Sequence, residues 1–271
     1  MRNTVANNKM NVGKSYNPPS SQTFPLHSFL KFLIMKKLFP ALLSFAFLSA
    51  GAQTVEEVLQ KYAASAGGLE AYNKIKTAKF TGNVTAQGNN FPITLQVVNG
   101  KASRSDVDVM GSQIINVYNN GKGWKQNPFG GAATPTEVTG AELNDLKPQS
   151  MLASALMDYK ARGHQVELQG QEDVEGIKTF KIKLTGKDDN KVTIYNINSP
   201  DYALLKSSTE GDMQGQKVTI VTWYSDIKVI NGLKFFMTRI QKINGEEFRT
   251  TKYDSIELDV TIDEKIFDMS K

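Results

Sequence analysis

Side chains able to do covalent or acid–base chemistry are few in this sequence. Beyond the first 52 residues there is one histidine, His164, beside Gly163 at the start of an alternating segment. No Ser-His-Asp set or nucleophile elbow can be assembled around it, and a lone imidazole would need converging carboxylates to hold a metal. The plain reading is a surface or strand-edge histidine. Lys187-Asp188-Asp189-Asn190 is dense in oxygen but lacks the alternation and terminal Glu of a calcium loop, so it reads as a solvated hairpin turn. Asn127-Pro128-Phe129-Gly130-Gly131 has no following Lys-Ser/Thr and no helix start, so it reads as a mobile loop, not a phosphate cradle. With no cysteine in the chain, disulfides, thiolate metal sites and cysteine nucleophiles are excluded. The expectation is a protein without catalytic residues, metal or cofactor.

The N-terminal 52 residues differ from the rest. They hold Arg2, Lys9, Lys14, Lys31, Lys36 and Lys37 but no Asp or Glu. Met35-Lys36-Lys37 is a basic start, Leu38 to Leu48 an apolar stretch, and Ala50-Gly51-Ala52 the small-x-small pattern of a signal-peptidase site. Eleven apolar residues fall short of the roughly 20 that span a bilayer. We read 35–52 as a signal peptide cleaved between Ala52 and Gln53, and 1–34 as an extension upstream of a true start at Met35. Residues 53–271 then form one domain, soluble in the periplasm; without a cysteine at the cleavage site it is not itself lipidated. With six of the 32 Lys and Arg in the leader, 26 remain against 27 Asp and Glu. That balance offers no electrostatic footprint for nucleic acid.

The elements that would position a binding surface follow from periodicity. Thr54-Val55-Glu56-Glu57 is a capping box. Val55, Val58, Leu59, Tyr62, Ala63 and Ala66 then form one stripe of an amphipathic helix ended by Gly67-Gly68. A short helix over 69–75 follows. Segments alternating with period two lie near 77–87, 91–98, 102–109, 112–118, 122–126, 164–173, 177–185, 191–197, 202–209, 216–228, 233–243 and 247–259. Gly88-Asn89, Asn99-Gly100, Asn120-Gly121, Asn231-Gly232 and Asn244-Gly245 mark tight turns between them. After a loop through Gly130-Gly131 and Pro135, helix formers occupy 141–146 and 150–160, with Met151, Leu152, Ala155, Leu156 and Tyr159 on one face of the second. The plan is mainly β (α+β): an antiparallel meander, curved, with an N-terminal helix and a central helix plugging its concave side.

Several strands are apolar on both faces. Val218, Ile220 and Tyr224 alternate with Thr219, Val221 and Trp223, and Phe235 and Met237 with Phe236 and Ile240. A sheet with one solvated face should alternate cleanly, so the second face meets either a packed core or an apolar cavity. Met151 and Met157 on the expected plug suit an adaptable apolar surface.

Several stretches in order resemble the periplasmic outer-membrane lipoprotein-sorting proteins, the LolA-like carriers. They are Tyr62 to Gly68 with Ile75-Lys76-Thr77, VYNNGKGWKQNPF from Val117, GHQVELQGQEDVEGIKTFKIKL from Gly163, YSDIKVINGLKFF from Tyr224, and Ile262 to Phe267. The resemblance covers 53–271. It implies a half-open β-barrel of about eleven antiparallel strands, a helical lid, and a cavity for lipoprotein acyl chains or related lipid. An inner-membrane lipoprotein-releasing transporter and an outer-membrane acceptor would be partners of a monomeric carrier. On that reading Trp124, Phe129, Met151, Leu152, Met157, Tyr195, Trp223 and Phe236 contact the cavity or lid. Arg104 is the nearest counterpart of the arginine that holds the family's lid shut; the proline usually standing before its strand is missing here, and an exposed strand arginine is the equal alternative. Rival readings are an envelope sensor that binds lipoproteins and signals to a protein partner, and an interaction domain with a filled core.

Overall fold

The computed structural model describes residues 53–269 apart from Gln214. The expected leader at 1–52, including Ala52, lies outside the described residues.

Helix α1 (Val55–Ala66) starts at the expected capping box: the Thr54 side chain accepts from the Glu57 N–H, and the Glu57 carboxylate accepts from the Thr54 N–H. It ends at Gly67, whose φ of 111° only glycine adopts freely. Helix α2 (Leu69–Lys74) follows. Six strands come next: β1 (Thr77–Ala86), β2 (Asn89–Val98), β3 (Ala102–Val109), β4 (Ser112–Asn119), β5 (Lys122–Asn127) and β6 (Ala132–Val138). Helix α3 (Gly140–Leu146) and a 3-10 turn (Lys147–Ser150) lead into an irregular stretch. Then come β7 (Gln165–Val174), β8 (Ile177–Thr185), β9 (Val192–Asn198), β10 (Leu204–Met213), β11 (Gln216–Ile230), β12 (Leu233–Ile243) and β13 (Glu246–Leu258), and a final 3-10 turn (Glu264–Phe267).

All strands join one antiparallel sheet in the order β6-β5-β4-β3-β2-β1-β13-β12-β11-β10-β9-β8-β7. The mainly β, half-open antiparallel plan is therefore the observed one, with thirteen strands rather than about eleven. β6, the strand missing from the twelve alternating segments, occupies the stretch expected as loop from Gly130-Gly131 and Pro135. It lies at the sheet edge, where proline is tolerated because no second neighbour needs its missing N–H. Of the expected turn dipeptides, Gly88-Asn89 and Asn99-Gly100 have only the glycine at positive φ, whereas Asn120-Gly121, Asn231-Gly232 and Asn244-Gly245 have both residues there, the two-residue hairpin geometry. Gln87-Gly88, Met110-Gly111 and Glu175-Gly176 do the same.

Cross-strand register defines two faces. On the inner face Ala78 pairs with Val97, Val97 with Ser103, and Ser103 with Tyr118. Phe80, Leu95, Phe235, Met237 and Tyr253 join Ala78 and Val97 in one buried cluster, against which α2 packs through Tyr72. Phe180, Ile182, Leu184, Ile197 and Leu204 form a second cluster, covered by Val58, Leu59 and Tyr62 of α1. Helix α3 covers Tyr118 and Val138 through Leu143 and Leu146. Gly123 permits this approach, since a Cβ there would lie 2.7 Å from Val138 and 2.8 Å from Leu143.

The central helix expected over 150–160 does not form; residues 151–163 run as bends and turns. Tertiary partners and a local serine turn capture its backbone. The Leu152 N–H donates to Asn99 Oδ1 at 3.0 Å, the Gly100 N–H to the Ser150 carbonyl at 2.8 Å, and the Leu156 N–H to Ser154 Oγ at 3.3 Å. Asn99 Nδ2 also donates to the carbonyls of Tyr72 and Ile75, at 3.0 and 2.9 Å. One side chain in the β2–β3 turn thus ties α2 to the segment over the inner face. Replacing Asn99 by Ala removes three hydrogen bonds and should lower stability by roughly 1–3 kcal/mol. Urea unfolding measures the loss, and proteolysis should cut first within 150–163.

Candidate functional site

The residues that the fold gathers on the inner face are apolar and come from both halves of the sheet. Leu156 is fully buried against the α1 and β8 cluster. Met157 touches both inner clusters and so bridges them, while Leu152 packs on the first. Tyr195 and Phe236 pack on the second, Phe236 at 5.2 Å from the Tyr224 ring. Leu152, Met157, Tyr195 and Phe236 therefore meet around one surface, with Met151 half-buried at the start of the covering segment.

Polar groups beneath this cover are sparse. Burial raises the Tyr195 phenol well above its ordinary range, and burial does the same to Tyr62, eased by the neighbouring Ser154 hydroxyl. Tyr72, whose hydroxyl donates to the Lys234 carbonyl, is pushed up to about 12 by burial. These phenols stay neutral, giving adaptable walls without charge.

Three expected contacts lie elsewhere. Trp124 pairs with Val117, and Val117 with Arg104, on the outer face. There Trp124 is buried beneath the C-terminal segment and donates from Nε1 to the Phe267 carbonyl at 3.0 Å. Trp223 pairs with Lys206, and Lys206 with Asn196, also on the outer face; the Lys206 ammonium sits 5.4 Å from its ring centroid. Phe129 is 62% exposed in the β5–β6 turn. Period-two alternation places Trp124 and Trp223 on strands but leaves open which face is inner, since aromatic residues occur on both.

Arg104 does not hold the cover. Its guanidinium binds Asp106 at 2.7–3.0 Å, donates to the Ile266 carbonyl at 2.7 Å and lies 5.6 Å from the Trp124 centroid. It fastens the C-terminal segment to the outer face. The arginine inside the cover is Arg162, which the sequence pattern does not single out. It donates to the Ala153 carbonyl at 2.9 Å and pairs with Asp158 at 2.5 Å, both side chains more than four-fifths buried. Asp158 Oδ1 and Arg162 Nε have no aligned hydrogen-bond partner, so the pair is held by charge. The i,i+4 spacing of Asp158 and Arg162 is the one available signal, and it is equally the spacing of an ordinary pair on a helix surface.

The other chemically suggestive residues are structural. His164 Nδ1 accepts from the Lys187 N–H at 3.1 Å. Lys187 to Asn190 form the β8–β9 turn, with Asp189 accepting from the Lys191 N–H at 2.9 Å. Among the described residues no group of three or more His, Cys, Asp or Glu could hold a metal ion, and no helix is long and apolar enough to cross a membrane.

Solved structures share this architecture. A LolA superfamily protein from Nitrosomonas europaea aligns over 79% of this chain and 97% of its own, with TM-score 0.53 and 14% identity. The fold is LolA-like. An outer-membrane lipoprotein-sorting protein domain from Vibrio parahaemolyticus aligns over 79% of this chain and 95% of its own, with TM-score 0.53 and 12% identity. A DUF1329 family protein from Desulfovibrio piger aligns over 80% and 98%, with TM-score 0.55 and 11% identity. Neither a family sequence model nor a curated relative matches the chain. The LolA-like fold is thus reached here by a sequence that shares few identities with these structures.

Two outcomes test the roles assigned to the arginines. Arg162→Met strands the Asp158 charge and should cost about 3 kcal/mol or more, whereas Arg162→Met with Asp158→Leu should recover most of it; hydrogen exchange should quicken in 151–163 for the single variant. Arg104→Ala should quicken exchange in 260–268 and leave 151–163 unchanged. Burial, then the Arg162 charge, lowers the His164 pKa below 6.5. The unfolded chain then binds the proton first on acidification, so His164 lowers stability as pH falls below about 6.5. His164→Gln should flatten that part of the pH–stability curve in urea titrations.

Proposed function

We propose that this protein is a periplasmic carrier that binds the acyl chains of lipoproteins, or of related lipids, on the inner face of its LolA-like sheet and passes them toward the outer membrane. The observation that carries the reading is the nature of the cover. Beside α1, α2 and α3, the apolar inner face is covered by an irregular segment pinned at Asn99 and Arg162, not by a second sheet. Such a cover can lift without breaking a strand ladder. Leaving a 16-carbon chain in water costs roughly 13 kcal/mol, at ~0.8 kcal/mol per methylene, so cargo crossing the periplasm must be shielded. Release favours adaptable walls such as Met157 and Leu152 over fixed polar anchors.

In this reading the leader directs export, an inner-membrane lipoprotein-releasing transporter loads the cargo, and an outer-membrane acceptor receives it. On this reading the protein performs no covalent chemistry, and the one histidine beyond the leader accepts the Lys187 N–H through Nδ1. The names of the solved neighbours, a lipoprotein-sorting domain among them, agree with this reading. Leu152, Met157, Tyr195 and Phe236, with Met151, are the proposed contacts.

Residues 53–271, purified from a periplasm and examined by native mass spectrometry and titration with a fluorescent fatty acyl probe, should carry lipid or bind the probe. Met157→Asp or Phe236→Asp, if still folded by circular dichroism, should weaken binding at least ~tenfold, since removing two methylenes from the apolar surface suffices. Trp223→Ala on the outer face should bind as the parent does. A protein that extracts no lipid and ignores the probe would instead be an interaction domain with a filled core.

A further inference from the structure

A groove of about 390 Å³ lies between α1 and residues 156–161. Leu59, Ala63 and Leu69 form one wall; Leu156, Met157 and Ala161 form the other. Its size is at the lower end of small-molecule sites, roughly 300–1,000 Å³. Polar side chains stand at its margin: Glu56 and Gln60 from α1, and Lys160 from the covering segment. An apolar trough with a polar margin matches an extended chain whose polar end stays in water.

The groove is continuous with the interior. Leu59 and Leu156 belong to the buried cluster beneath it, and Met157 reaches both inner clusters. The interior at this level is occupied by the protein's own side chains: Val58, Leu156, Ile182 and Ile197 are fully buried. A ligand approaching the closed form therefore meets the groove first, with Met157 between it and the inner face.

We propose that this groove between α1 and residues 156–161 is a binding site for a single acyl chain outside the barrel interior, and that Met157 is the gate between the two. The inference rests on the lipid-binding reading and deepens it. Asp158, on the groove wall, is held only by its charge pair with Arg162. Opening the segment hydrates both charges, which offsets the apolar packing that Met157 gives up when it swings away.

The test is photo-crosslinking of the full mature protein with diazirine-bearing palmitic acid, followed by peptide mapping, beside titration of the Ala63→Trp variant. Adducts within 56–69 and 156–161, and probe binding at least ~tenfold weaker in the variant, are the expected results. Adducts confined to β1, β2 and β12, with Ala63→Trp binding as the parent does, would overturn the groove while leaving an interior lipid site intact. No adducts anywhere would overturn both. Crosslinking on the parent protein decides the matter even if Ala63→Trp misfolds. Displacement of the probe by a triacylated lipopeptide supports lipoprotein cargo, and displacement by phosphatidylethanolamine supports a phospholipid; displacement by neither rejects an acyl-chain site for membrane-derived cargo.

Discussion

The apolar inner face of a sheet that curls without closing is the constraint on which the structure depends. β6 and β7 end the sheet at opposite edges, so no further strands shield Phe80, Leu95, Phe180 and Ile182 from water. At roughly 25 cal/mol per Å² of apolar surface, leaving that face bare is not an option. Everything outside the sheet answers to it. α1 lays its stripe over β8 and β9, α2 fills beside β1 and β12, α3 covers β4 to β6, and residues 151–163 span what remains.

The last of these covers is of a different kind. A helix satisfies its own backbone and can be treated as a rigid lid, but an irregular segment must find partners residue by residue. Asn99, Gly100, Ser154 and Arg162 supply them here. The cover is thereby held at discrete points, three of which are side chains whose loss frees a defined stretch. Local opening is drawn from such regions.

The outer face shows a parallel arrangement. Trp124, Arg104 and Asp106 hold the C-terminal segment against β3 to β5 through Phe267 and the Ile266 carbonyl. Aromatic and cationic residues that resemble ligand contacts along the linear chain serve there to anchor a terminus.

Much of this was legible in the sequence because it rests on local chemistry. Thr54 and Glu57 cap α1, Asn120-Gly121, Asn231-Gly232 and Asn244-Gly245 adopt the positive φ that their hairpins need, and period-two alternation located twelve of the thirteen strands of the described residues; the absence of cysteine excluded its chemistry outright. What the tertiary structure alone decided was whatever depends on distant partners. Edge position made a strand of the Pro135 stretch. Capture of its backbone by Asn99 and Gly100 unmade the helix that 150–160 would form by propensity. Register separated Tyr195 from Trp124 and Trp223, and packing brought Met157 and Phe236 to the inner clusters. Local propensity is worth tenths of a kcal/mol per residue, whereas buried hydrogen bonds and burial of whole side chains are worth more, so where the two conflicted the distant partners prevailed.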